Sequence, residues 1–93
     1  MSKYFARIDS NQPEIVRQLR KRGCFIVHTY TLKEAFDVLV AYKGSLYPVE
    51  IKVDASKKLT KGEQKCADGM KSAGVEYLVI TSATEFFEKI KKK

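Results

Sequence analysis

Behind Asn11, apolar side chains fall at Ile15, Val16 and Leu19, a spacing that gathers them on one face of a helix. Asn11 with Glu14 has the spacing of a capping box, and Gly23 stops the helix just after the basic pair Lys21 and Arg22. The pattern then changes. Cys24 to Thr31 is rich in β-formers and reads as a strand. A short polar connection, Leu32 to Ala35, leads to a second strand, Phe36 to Tyr42. Lys43-Gly44-Ser45 is a tight turn, and Leu46 to Val53 returns as the third strand of an antiparallel hairpin. Asp54 to Leu59 is a polar, lysine-bearing loop. Thr60 with Glu63 opens a second helix that ends around Ala73-Gly74, Tyr77 to Thr81 is a short fourth strand, and Ser82 with Glu85 caps a last helix through Ile90. The expected order is α-β-β-β-α-β-α.

That order fits one α/β domain over residues 1–93, with no repeat and no linker to divide it. Leu, Ile, Val and Phe supply 25 of the 93 residues, enough to build a core. A domain this small buries a modest share of its surface, so a second copy would be a natural supplement. Eighteen Lys and Arg against eleven Asp and Glu leave a net charge of +7, which favours a polyanion partner, nucleic acid before membrane. No apolar run approaches the ~20 residues that span a bilayer, and the polar N-terminus lacks a signal-peptide core. Cys24 and Cys66 lie far apart without metal-binding spacing, so a cytosolic protein without disulfide or zinc is expected.

Chemistry concentrates in the hairpin. Glu50 and Lys52 share a strand face, about 6.7 Å apart along the chain, behind Leu46 and Pro48. Tyr47, Val49, Ile51 and Val53 point the other way. Charges set among apolar residues cost desolvation energy unless something offsets it. Closing the hairpin at Lys43-Gly44-Ser45 brings Asp37 near the far end of the third strand, beside Glu50 and Lys52. Two convergent carboxylates suit Mg²⁺ or Mn²⁺, ions that keep water in their remaining positions, lower its pKa and neutralise phosphate. An adjacent lysine can orient that water or stabilise developing charge.

Asp37…Glu50-Ile51-Lys52, on the second and third strands after an N-terminal helix, resembles the PD-(D/E)xK nuclease superfamily. More narrowly, the chain is similar to the small phage-type stand-alone VRR-Nuc nucleases: a helix Glu, a strand Asp, Glu-x-Lys and a later Gln are met by Glu14, Asp37, Glu50, Lys52 and Gln64. The resemblance runs from about Asp9 to Ser82. It implies a restriction-endonuclease-like αβββαβ core with a C-terminal helix and a mixed central sheet. It also implies a Mg²⁺- or Mn²⁺-dependent DNA endonuclease leaving 5′-phosphate and 3′-hydroxyl ends, in a bacterial host or phage-infected cell. Asp37, Glu50 and the Ile51 carbonyl would bind the metal, Glu14 would reach it directly or through water, Lys52 would be the catalytic lysine, and Gln64 would hold the site or the scissile phosphate. One departure is Phe36, where the family usually has Pro. Another is Lys33-Glu34-Ala35, which lacks the small turn-forming residues common there.

Each residue also has a plainer reading. Glu14 could cap the first helix, Glu50 and Lys52 could be a solvated pair on an edge strand, Asp37 could be a strand-entry residue, and Gln64 an ordinary helix-surface residue. His28 reads as structural, and Tyr30, Tyr42, Tyr47 and Tyr77 as core edges. Lys57, Lys58, Lys61 and Lys65 flank the entry to the second helix next to the site and would contact phosphate. Lys89, Lys91, Lys92 and Lys93 would serve solubility or diffuse DNA attraction. The small domain offers little surface for reading sequence, so a homodimer with two sites, suited to branched DNA such as a four-way (Holliday) junction, is expected. A non-catalytic nucleic-acid-binding module retaining the nuclease fold, and a small α/β RNA-binding or protein-interaction domain, are the competing readings.

Overall fold

A computed structural model describes residues 10–91. Lys92 and Lys93 of the basic tail lie outside the described residues, as does Asp9, where the resemblance begins. The element order is α1 (Gln12–Lys21), β1 (Phe25–His28), β2 (Val38–Tyr42), β3 (Ser45–Ile51), α2 (Lys61–Ser72), β4 (Leu78–Ile80) and α3 (Ala83–Lys91), as the sequence leads one to expect. The four strands form one mixed sheet in the order β1-β2-β3-β4. The first three are antiparallel and β4 runs parallel to β3.

One sheet face carries the core. Ile26, Val38, Val40, Tyr47, Val49, Ile51, Leu78 and Ile80 meet Ile15, Val16 and Leu19 of α1 and Ala83, Phe86 and Phe87 of α3. Edge-to-face contacts join Tyr42 and Tyr47 to Phe86, so these tyrosines belong to the core as expected. The opposite face is covered unevenly. Phe25 and Leu46, which flank Ala41 across the sheet, stay exposed at its β1–β3 end. Further along, Pro48 and Glu50 are buried. α2 itself has no buried residue and is held at its start by a complete Thr60–Glu63 capping box.

Several expected element ends move: β2 begins at Val38 rather than Phe36, Ser45 belongs to β3 rather than to the turn, and β3 ends at Ile51, short of Val53, which leaves Lys52 just beyond it. The first strand stops at His28, short of Thr31, because Thr29 turns the chain. Its hydroxyl donates to the Phe36 carbonyl at 2.9 Å, and its own carbonyl accepts from Leu32 N at 2.8 Å. Asn11 does not cap α1 with its side chain. Its backbone is already helical (φ −86°, ψ −7°), whereas side-chain capping needs an extended residue there. Its amide instead donates to the carbonyls of Lys52 (3.0 Å) and Thr81 (3.4 Å), tying the start of α1 to the exits of β3 and β4.

Candidate active site

The hairpin closes through Lys43 and Gly44, both at positive φ (48° and 84°), as a two-residue loop between the paired Tyr42 and Ser45. That register pairs Val38 with Val49 and so carries Asp37 to the far end of β3, as the loop position required. There the Asp37 amide donates to Val49 O (3.0 Å), and its Oδ2 accepts from Ile51 N (2.8 Å). β3 is an interior strand of the sheet, not an edge. Glu50 is accordingly only 5% exposed, and the solvated edge-pair reading of Glu50 and Lys52 falls away.

Asp37, Glu50, Ile51 and Lys52 line one cleft of ≈ 360 Å³, closed on one side by the 30s loop and on the other by Thr60 and Glu63 of α2. Lys52 Nζ lies 3.3 Å from Glu50 Oε2 and 3.0 Å from Glu63 Oε1. Glu63 was visible in the sequence only as a helix cap. The same Oε1 that accepts from Thr60 N (3.0 Å) also accepts from Lys52, so one side chain fixes both the helix start and the lysine. Gln64, one position on, is turned roughly 100° around the helix. Its amide donates to Asp68 at 2.9 Å on the exposed side and does not line the cleft. Glu14 does not line it either. It is exposed, forked onto Arg17 and bonded to Gln18 at 2.8 Å, contacts that hold its carboxyl down to about 2. Lys57, Lys58, Lys61 and Lys65 are arrayed around the α2 entry, with Lys57, Lys58, Lys61 and Lys65 all exposed to solvent.

Charge in the cleft does not balance. Four carboxylates, Glu34, Asp37, Glu50 and Glu63, line it against two ammoniums, Lys33 and Lys52, and of these only Lys52 is in contact with Glu50 and Glu63. Burial first, then the charges of Asp37 and Glu63, push the Glu50 carboxyl up to about 9 despite the nearby lysine. Burial opposes the charge on Lys52, but Glu63 and Glu50 outweigh it and raise its pKa. Burial likewise opposes the charge on Glu63, and the Thr60 amide with Lys52 more than offsets that, lowering its pKa. Glu50 therefore carries the proton that relieves the excess negative charge. A divalent cation would do the same work. Among the described residues no three His, Cys, Asp or Glu side chains stand ready as a ligand cluster. The available donors are the Asp37 and Glu50 carboxylates, which fits Mg²⁺ or Mn²⁺, since these ions take one or two carboxylates and complete their shell with water and substrate phosphate.

The cleft is framed by second contacts. Tyr77 Oη donates to Ala35 O at 2.8 Å, its own ionisation raised far above the usual range by burial and by Glu50. The turn that the sequence lacked small residues to form is made with Glu34 at φ 56°. Gly62 leaves room for it, because a Cβ there would collide with the Glu34 side chain. No family model, curated protein or solved structure matches the chain.

Proposed function

We propose that the chain is a Mg²⁺- or Mn²⁺-dependent DNA endonuclease of the PD-(D/E)xK type, resembling the VRR-Nuc family, that hydrolyses phosphodiester bonds in branched DNA. The observation that carries the reading is the convergence of Asp37, Glu50 and Lys52 in one cleft at the joined ends of β2 and β3, with carboxylates in excess. Asp37 and Glu50 would hold the metal, which when bound supplies positive charge against the scissile phosphate and lowers the pKa of water. Asp37 is held by the Ile51 amide, so its carboxylate is oriented before any ligand arrives. Lys52, steadied by Glu63, presents an ammonium that can position the attacking water or stabilise the charge that develops on phosphorus oxygens. The exposed lysines at the α2 entry and the net charge of +7 draw DNA to this mouth. A homodimer would supply paired sites, and the exposed Phe25 and Leu46 are surface it could cover.

Wild type and Lys52→Ala, each offered labelled four-way-junction and linear duplex DNA in Mg²⁺, in Mn²⁺ and in EDTA, test the proposal. The expected result is metal-dependent cleavage, greater on the junction, that Lys52→Ala abolishes while binding survives. Binding without cleavage in either metal would sink the nuclease reading and assign a non-catalytic nucleic-acid-binding module.

A further inference from the structure

A second and larger groove, ≈ 560 Å³, lies between α1 and the end of β1. Arg17, Arg20 and Lys21 line it, together with Gln12, His28 and Tyr30. Tyr30 lines the carboxylate cleft as well, so the two depressions meet at that ring. We infer that this groove holds unpaired nucleotides of the DNA substrate as the strand leaves the cleft past Tyr30, a statement that rests on the nuclease reading for its choice of ligand.

Three features support an unpaired strand over a duplex. Arg17 is engaged by Glu14, but Arg20 and Lys21 make no ion pair among the described residues, which leaves two cations for phosphates. The His28 and Tyr30 rings stand edge-to-face at 5.7 Å, a wall against which a flat base can stack. Bases of a duplex are stacked inside it, and only an unpaired nucleotide can offer its face to a concave wall. Gln12, finally, is 2% exposed, and its Oε1 has no hydrogen-bond partner. Cations in the last turn of a helix complement its dipole, but that explains neither the groove nor the orphaned amide beside it. A base N–H donor would satisfy it. The inferred preference is thus for branched DNA with a single-stranded arm.

The test is fluorescence anisotropy in EDTA with a fluorescein-labelled 12-mer of deoxythymidine and a duplex of the same length. Wild type should bind the 12-mer. Arg20→Ala/Lys21→Ala should weaken it roughly tenfold and reduce the slope of log affinity against log salt by about 1.4, the loss of two single-strand phosphate contacts. Tyr30→Ala should weaken it roughly tenfold with the salt slope unchanged. An unbound 12-mer, unchanged affinity and slope in Arg20→Ala/Lys21→Ala, or equal losses on 12-mer and duplex would overturn the inference. If the 12-mer behaves as expected while wild type cleaves nothing in Mg²⁺ or Mn²⁺, the nuclease reading fails and the groove stands. Metal-dependent cleavage by wild type, with a groove variant that binds the 12-mer unchanged, would overturn the groove and leave the nuclease reading standing.

Discussion

Replacing Glu50 with glutamine should stabilise the metal-free protein while abolishing its response to metal. Glutamine resembles the protonated carboxyl that the cleft already favours. With a pKa of about 9 in the folded protein against an ordinary 4.5, Glu50 keeps its proton in the native state where the unfolded chain has released it. Below pH 4.5 both states hold the proton and the group contributes no penalty. Between 4.5 and 9 the native state binds the extra proton, so stability falls as pH rises, and above 9 the penalty is complete. At pH 7 the gap is about 2.5 pKa units, a ceiling of ~3 kcal/mol. Lys52 loses a partner 3.3 Å away in the variant but retains Glu63, which trims the gain to about 2 kcal/mol. For a domain of this size that raises Tm by roughly 8–16 °C.

Urea melts of wild type and Glu50→Gln in EDTA at pH 4.5, 7 and 8.5 would show it. The two curves should nearly coincide at pH 4.5 and separate steadily towards pH 8.5, with glutamine the more stable. Millimolar Mg²⁺ or Mn²⁺ should then raise the stability of wild type alone, with release of the Glu50 proton. A variant less stable than wild type at pH 8.5, or a difference that does not change with pH, would refute the charge imbalance. It would also remove the main physical support for a cation between Asp37 and Glu50.

Other expectations follow from single contacts. Glu63→Gln should cut single-turnover cleavage tenfold or more by loosening Lys52, at a cost near 1 kcal/mol from the weakened cap, measured by chemical denaturation. Lys43→Asn should raise stability by about 1 kcal/mol in a thermal melt, because asparagine accepts the left-handed backbone that lysine adopts at φ 48°. Gly62→Ala ought to help an isolated helix by ~1 kcal/mol, yet here its Cβ would meet Glu34. The variant should therefore be less stable than wild type, and Glu34→Gly should restore it in a double-mutant cycle; additive effects would show that the contact carries no strain.

The hairpin was legible because its period is two and its turn is short. A turn at Lys43-Gly44-Ser45 brings Asp37 near the far end of β3 beside Glu50 and Lys52, and although the loop proves to be Lys43 and Gly44 alone, with Ser45 already in β3, that one-residue change keeps the three together. What escaped was everything set by how α1 and α2 meet that end. Capping-box spacing occurs twice near the site, at Asn11 with Glu14 and at Thr60 with Glu63, and the two turn out differently. Thr60 is extended (ψ 169°) and caps in full, while Asn11 is helical and spends its amide on β3 and β4. Local spacing cannot tell them apart, since the difference lies in what stands across from each side chain.

The exchange of Gln64 for Glu63 as the cleft's helix residue has the same origin and a chemical consequence. A cap carboxylate must fold back over the helix start, and in α2 the helix start is placed against Lys52. One oxygen thereby serves two donors, and the lysine is fixed by the same side chain that caps the helix. Such an arrangement makes the site's geometry depend on α2 remaining docked, although α2 buries no side chain of its own. Glu63 ties it to the end of β3 through Lys52 and through a side-chain hydrogen bond with Glu50, and Gly62 fits closely against Glu34 of the loop before β2. The cleft is thus bounded by an element with little core beneath it, the kind that opens at low free-energy cost. Hydrogen exchange should then find α2 amides less protected than those of β2 and β3, with Glu63→Gln lowering the α2 protection further and leaving the strands unchanged. Equal protection across α2 and the central strands would mean that the helix is anchored by more than these contacts.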